Sequence, residues 1–194
     1  MLADGYHDVA PGKIAAVVTY LEMTAPPDLP EVNGPWELRS LRTATLDEYR
    51  HLFRRVGEDW LWFSRLRMPD AELRSIIHHP GVDSFAVVDH GEALGMLELD
   101  RRQPPDVEIT FFGLAEPLIG RGAGRWLMTR ALQLAWQHSP RRVWLHTCTL
   151  DHPRALSFYR KFGFRPYRRG VEIADDPRAL GYLSQEAAPR VPLL

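Results

Sequence analysis

Val107-Glu108-Ile109-Thr110-Phe111-Phe112-Gly113-Leu114-Ala115-Glu116-Pro117-Leu118-Ile119-Gly120-Arg121-Gly122-Ala123-Gly124-Arg125 is the stretch on which the fold turns. It reads as a strand, a short turn, and three alternating glycines at the head of an amphipathic helix. The helix is predicted from about Gly122 to His138, because Leu127, Met128, Ala131, Leu134 and Ala135 recur at its period. Glycine lets successive backbone N–H groups turn toward one point with no side chain in the way. The helix N-terminus adds unpaired donors and a partial positive charge, and Arg121 and Arg125 can add charge at the rim. A pyrophosphate is the natural guest. A dinucleotide fingerprint would need glycine where Arg125 stands and glycines directly after the strand, and a Walker A loop would need Gly-Lys-Ser/Thr. The remaining alternative is a turn that merely brings helix and sheet close together.

The neighbouring segments supply the frame. Downstream, Val143–Leu150 reads as a strand, Pro153–Phe162 as a helix, Gly163 as its left-handed cap and Phe164–Ile173 as a last strand. Upstream, Ser84–Val88 and Ala93–Asp100 form two strands around Asp89-His90-Gly91. Helices are predicted from a Thr45 cap to Val56 and over Asp70–His78. Trp36–Leu41 and Lys13–Glu22 read as strands, separated by a proline-rich break. The order predicts an α/β (α+β) domain with a mixed, mostly antiparallel sheet of six to seven strands and about four helices. Its expected divisions are an arm with an extra strand (1–35), the main domain (36–175) and an irregular tail (176–194). The extra strand either extends the sheet or pairs with a second subunit, which leaves room for a homodimer.

Composition narrows the function. A length of 194 residues, 45% of them apolar, suits one domain with a real core. With 24 basic against 25 acidic residues, a broad basic surface for nucleic acid is not expected. The longest stretch without a charged side chain, Ala131–Pro140, is too short for a bilayer, so no membrane partner is expected. The first residues show no basic and apolar leader, and Cys148 stands alone, so the expectation is a cytoplasmic protein in a reducing compartment. His78-His79 has no partner motif, and no metal is expected.

A second motif, Leu150-Asp151-His152-Pro153-Arg154-Ala155-Leu156-Ser157-Phe158-Tyr159-Arg160-Lys161-Phe162-Gly163-Phe164, follows one strand after the glycine loop. Together the two resemble the GCN5-related N-acetyltransferase (GNAT) superfamily. Its loop Gln/Arg-x-x-Gly-x-Gly/Ala is matched by Ile119-x-x-Gly122-x-Gly124, and its helix Asn-x-x-Ala-x-x-x-Tyr-x-x-x-Gly-Phe by His152-x-x-Ala155-x-x-x-Tyr159-x-x-x-Gly163-Phe164. The resemblance runs over about Ser84–Tyr167. It implies strands that splay at 107–113 and 143–149, and acetyl-CoA as co-substrate held by Phe112, Gly113, Leu114, Ile119, Gly120, Arg121, Gly122, Ala123, Gly124, Arg125, His152 and Tyr159. Two positions depart: Ile119 stands for Gln or Arg, and His152 for Asn. His152, just before Pro153, is expected to be the N-cap.

Acetyl transfer to an amine requires removing a proton, polarising a carbonyl and protonating a thiolate. The resemblance points to Tyr159 as the acid, with ring packing as its other reading. The resemblance also makes Glu108 the leading base: it lies fourteen residues before Gly122, the spacing at which histone-type members of the superfamily place their catalytic glutamate. Val107, Ile109 and Phe111 are expected on one strand face and Glu108, Thr110 and Phe112 on the other. Glu98 is expected across from Glu108, where like charges would raise one pKa. Backbone N–H groups near Phe112, Gly113 and Leu114 are expected to polarise the carbonyl. His146 and Cys148 fall on the facing strand as a lesser base and a nucleophile candidate. Trp60, Trp62 and Phe63 either shape an acceptor pocket or fill the core. The leading expectation is direct acetylation of a small-molecule amine. The others are a protein or peptide N-acetyltransferase and a non-catalytic acyl-CoA sensor.

Overall fold

A computed structural model describes residues 3–29 and 31–194. Its strands are β1 (Lys13–Met23), β2 (Glu37–Ser40), β3 (Val82–Asp89), β4 (Glu92–Asp100), β5 (Asp106–Leu114), β6 (Arg142–Cys148) and β7 (Arg165–Asp175). Its helices are α1 (Leu46–Gly57), α2 (Ser64–Arg67), α3 (Asp70–Ile77), α4 (Ala123–Trp136) and α5 (Ala155–Lys161). One seven-stranded sheet runs in the order β2-β3-β4-β5-β6-β1-β7. Every neighbouring pair is antiparallel except β5 and β6, which pair in parallel only from Asp106–Glu108 to Arg142–Trp144. Beyond Glu108 and Trp144 the two strands part.

Local sequence accounts for these elements. Thr45 and Glu48 form a reciprocal cap on α1: the Thr45 hydroxyl accepts the Glu48 N–H, and Glu48 accepts the Thr45 N–H at 2.8 Å. The β3–β4 hairpin closes through His90 and Gly91, both at positive φ, which matches the twist of the strands. β1 alternates Ile14, Ala16 and Val18 inward with Lys13, Ala15 and Val17 outward. It inserts between β6 and β7 and pairs with both, so it extends the sheet from within and has no free edge of its own.

The sheet carries a core on each face. α4 and α5 cover one, burying Leu127, Met128 and Leu132 against Leu97, Leu99, Ile109 and Leu145. α1, α2 and α3 cover the other with Tyr49, Phe53, Leu73 and Ile77. Residues 176–194 contain neither helix nor strand, yet Leu183, Ala187 and Ala188 are buried in the α1-side core. Arg178 holds this segment down: it pairs with Asp176 at 2.7 Å and donates to the carbonyls of Ala187 and Val191. Each buried aliphatic or aromatic side chain contributes about 1.5–3 kcal/mol.

Two expectations are corrected. Leu99 pairs with Ile109 and Glu98 with Phe111, so Thr110 is an extra residue in β5. This bulge reverses the alternation beyond it. Phe111 therefore joins Glu108 on the α1 face, where it meets Phe53 and Trp62, while Phe112 turns to Phe158 and Tyr159 of α5. The second correction concerns His152, which does not cap the helix proper. α5 begins at Ala155 with Arg154 at its N-cap. His152 instead caps the lead-in turn: its Nδ1 accepts the Arg154 N–H at 3.0 Å and its carbonyl accepts the Ala155 N–H at 2.8 Å.

Candidate active site

Gly120 and Gly122 adopt φ of 81° and 89°, a region that L side chains avoid, so the loop reaches this shape at little cost only with glycine. Among the described residues, the N–H groups of Gly120, Gly122, Ala123, Gly124 and Arg125 have no acceptor within the chain, whereas those of Ile119 and Arg121 are taken by Glu116 and Leu118. Five free donors at a helix N-terminus suit a diphosphate. The two arginines differ from expectation in detail. Arg121 is already paired with Asp89 at 2.6 Å, so its charge is shared, while Arg125 is exposed.

A cavity of about 630 Å³ leads inward from Ile119 and Gly124. Phe112, Gly113, Leu114 and Phe158 line it together with Tyr159, His152, Cys148 and the exposed His146. Apolar walls ending at polar groups suit a pantetheine arm with a thioester at its tip. Gly113 is required here by packing: a Cβ would fall 2.5 Å from Val56 and 2.9 Å from Trp62. Tyr159 is buried, and its hydroxyl makes no hydrogen bond to the described residues. Burial and the nearby Asp151 push its ionisation far up, so it remains a neutral O–H donor.

Glu108 lies on β5 at the last paired position before the strands part. It stands behind His146 rather than in the cavity wall, with His146 Nδ1 3.8 Å from its Oε1. Its carboxyl is pushed up to about 7, first by desolvation and then by the charge of Asp100. Asp100, not Glu98, is its cross-strand partner. Glu98 is two residues along the same face, fully buried, and adds a smaller push. It is consumed by a network: the Tyr49 hydroxyl donates at 2.6 Å, Ser84 at 2.7 Å and Arg65 at 2.6 Å. Arg65 also covers the Phe111 ring at 5.1 Å. Desolvation lowers the pKa of His146, which favours neutral imidazole. The Cys148 thiol is pushed up to about 11 by burial, which removes the thiolate a nucleophile needs.

Side chains that sequence reasoning passed over complete the site. Asp151 accepts from the Thr147 hydroxyl at 2.7 Å and from the Cys148 N–H at 2.9 Å, fixing the turn after β6. Arg190 reaches from the C-terminal segment to the carbonyls of Asp59 and Leu150 and lies over the Trp60 ring, which packs on His152. It thereby ties together two walls of the cavity. Asp151 had a local signal, since it directly precedes the lead-in turn to α5. Arg190 had none. Trp62 packs between Phe53 and Phe111, as a core residue and cavity wall at once.

The site thus combines free amides at a helix N-terminus, a cavity beside two parting strands, a neutral tyrosine and a carboxyl shifted toward neutrality. The model of the acetyltransferase (GNAT) family matches residues 41–164, nearly two thirds of the chain, and the protein belongs to that family. Among solved structures, a GCN5-related N-acetyltransferase from Sphaerobacter thermophilus superposes with a TM-score of 0.57 at 15% identity, covering 86% of this chain and 53% of its own. A tandem GNAT protein from the clavulanic acid biosynthesis pathway gives 0.57 at 18%, covering 88% and 55%. An IAA acetyltransferase from Bacillus cereus gives 0.52 at 18%, covering 69% and 79%. The chain thus spans about half the length of the first two. A comparison with curated proteins finds no match. No helix among the described residues is long and apolar enough to cross a membrane, and no cluster of metal ligands occurs among them.

Proposed function

We propose that the protein transfers an acetyl group from acetyl-CoA directly to the amine of a small molecule. One observation carries this reading: a single cavity runs from Ile119 and Gly124, at the edge of the glycine loop with its free amides, to Tyr159 and His146, and Glu108 lies 3.8 Å from His146. Acetyl-CoA supplies the activated acetyl thioester. The chain's own residues would do the rest. Free N–H groups from Gly120 to Arg125 hold the diphosphate, and the throat at Phe112–Leu114 aims the arm. The proton of an incoming ammonium leaves toward the Glu108–His146 pair, whose carboxyl is close to half ionised at neutral pH. The neutral Tyr159 hydroxyl donates to the departing sulfur. The high pKa of Cys148 favours direct transfer over an acetyl-enzyme.

A small acceptor is favoured because Arg190 links the Asp59 and Leu150 carbonyls and covers Trp60, closing one side of the cavity to an extended chain. The unpaired Cys148 suits a cytoplasmic setting. The test is thiol release from acetyl-CoA over a panel of small amines and of peptides. Small amines should turn over faster than peptides. Peptide-only turnover would overturn the acceptor class, and no turnover with intact coenzyme binding would support a sensor.

A further inference from the structure

We propose that the free edge of β7 is a homodimer interface, where two copies join their sheets antiparallel about a two-fold axis at Gly170. β7 ends the sheet, and its eleven residues make it far longer than the four-residue β2 at the other edge. All residues from Arg165 to Ile173 except Gly170 are exposed. Soluble proteins shorten, bulge, charge or cover such edges, because an unpaired ladder recruits another strand; in β7, Pro166 and the bulge guard only its first residues, and the charges beyond are of both signs. Here the one irregularity, beside Tyr167, spares Arg168 to Asp175, which hold eight consecutive registered pairs with β1 on their inner side. The outer side of that segment is a regular, open ladder.

The side chains select the partner and the register. With the axis normal to the sheet, opposed residues share a face, so the register must centre on a residue. Centred on Gly170, Arg168 stands opposite the partner's Glu172, and symmetry repeats the pair. Centred on Arg169 or Glu172, like charges would face each other across the axis. Centred on Val171, neither Arg168 nor Glu172 would meet an opposite charge. Gly170 puts no side chain on the axis. On the other face, Val171 is 50% and Ile173 59% exposed beside Val17 at 41%, an apolar strip. In this register Val171 lies diagonal to the partner's Val171, within reach of a cross-strand contact. Glu172 also lines the cavity, so the partner's Arg168 would stand at its rim. The self-complementary charges favour a second copy over an unrelated strand.

The test is sedimentation equilibrium on the full chain. Wild type should sediment as a dimer. Arg168→Glu and Glu172→Arg, each of which sets like charges opposite one another twice, should weaken association by at least about tenfold. The double exchange Arg168→Glu/Glu172→Arg should restore it, which also separates lost pairing from lost folding. A wild-type monomer at about 100 μM, a dimer indifferent to both single reversals, or failure of the double exchange to recover association would each overturn the proposal.

Discussion

Glu108 ionises near pH 7 because it is desolvated where the strands part and faces Asp100. Two consequences follow from one shift. In the proposed role of base it must be ionised, so kcat/KM should rise with pH through about 7. Glu108→Gln should lower kcat by about 10²-fold or more and remove that rise, measured as a pH–rate profile. For stability, the folded pKa exceeds the unfolded value of about 4.5, so the contribution of the neutral form is complete below that value and lost as pH rises through about 7. Denaturant melts should therefore find Glu108→Gln more stable than wild type at pH 8, by up to about 3 kcal/mol, with little difference at pH 4.5. Tyr159→Phe keeps the ring against Phe112 and Phe164 and removes only the hydroxyl. It should cut kcat by at least about tenfold while calorimetric coenzyme A affinity stays unchanged.

The glycine loop and α4 act as one element, and two substitutions separate its parts. Gly122 sits at φ 89°, so Gly122→Ala should destabilise by about 1–2 kcal/mol in thermal melts. At Gly124 a Cβ would meet nothing closer than 3.8 Å, from Leu114 and Phe158. Gly124→Ala should leave the melting temperature unchanged or slightly higher, since alanine favours helix. The family's loop takes glycine or alanine at this position and the backbone amides stay in place, so acetyl-CoA affinity should remain near the wild-type value, measured by calorimetry. A tenfold loss would show that the methyl blocks the diphosphate. This element was readable in advance because glycine spacing and helical period are local. The strand before it was only half readable: Glu108 was placed on the right face, but the Thr110 bulge reversed Phe111 and Phe112, and bulges depend on the partner strand.

At the scale of the whole molecule, the first and last stretches of the chain are structural parts of the site. β1 braces β6, which carries His146 and Cys148, and the C-terminal segment brings Arg190 to the cavity walls. Arg178 and Asp176 are both 2% exposed at their side chains, so Arg178→Ala leaves an unpaired buried carboxylate. The expected loss is about 3–5 kcal/mol in chemical denaturation, with the segment after Asp176 becoming sensitive to protease.

From the amino-acid order alone came most of the strands and helices, the glycine loop at the head of α4, the face on which Glu108 lies, and the family. All of these are written in periodicity, caps and glycine spacing, which act over a few residues. Three-dimensional packing alone decided that β1 enters the sheet between β6 and β7. It also set Asp100 rather than Glu98 opposite Glu108, brought His146 to within 3.8 Å of that carboxyl, and left β7 as the open edge. Those outcomes depend on strand register and, for β1, on pairings with residues more than a hundred positions away, where the free energy lies in matching two surfaces and neither surface alone encodes the match.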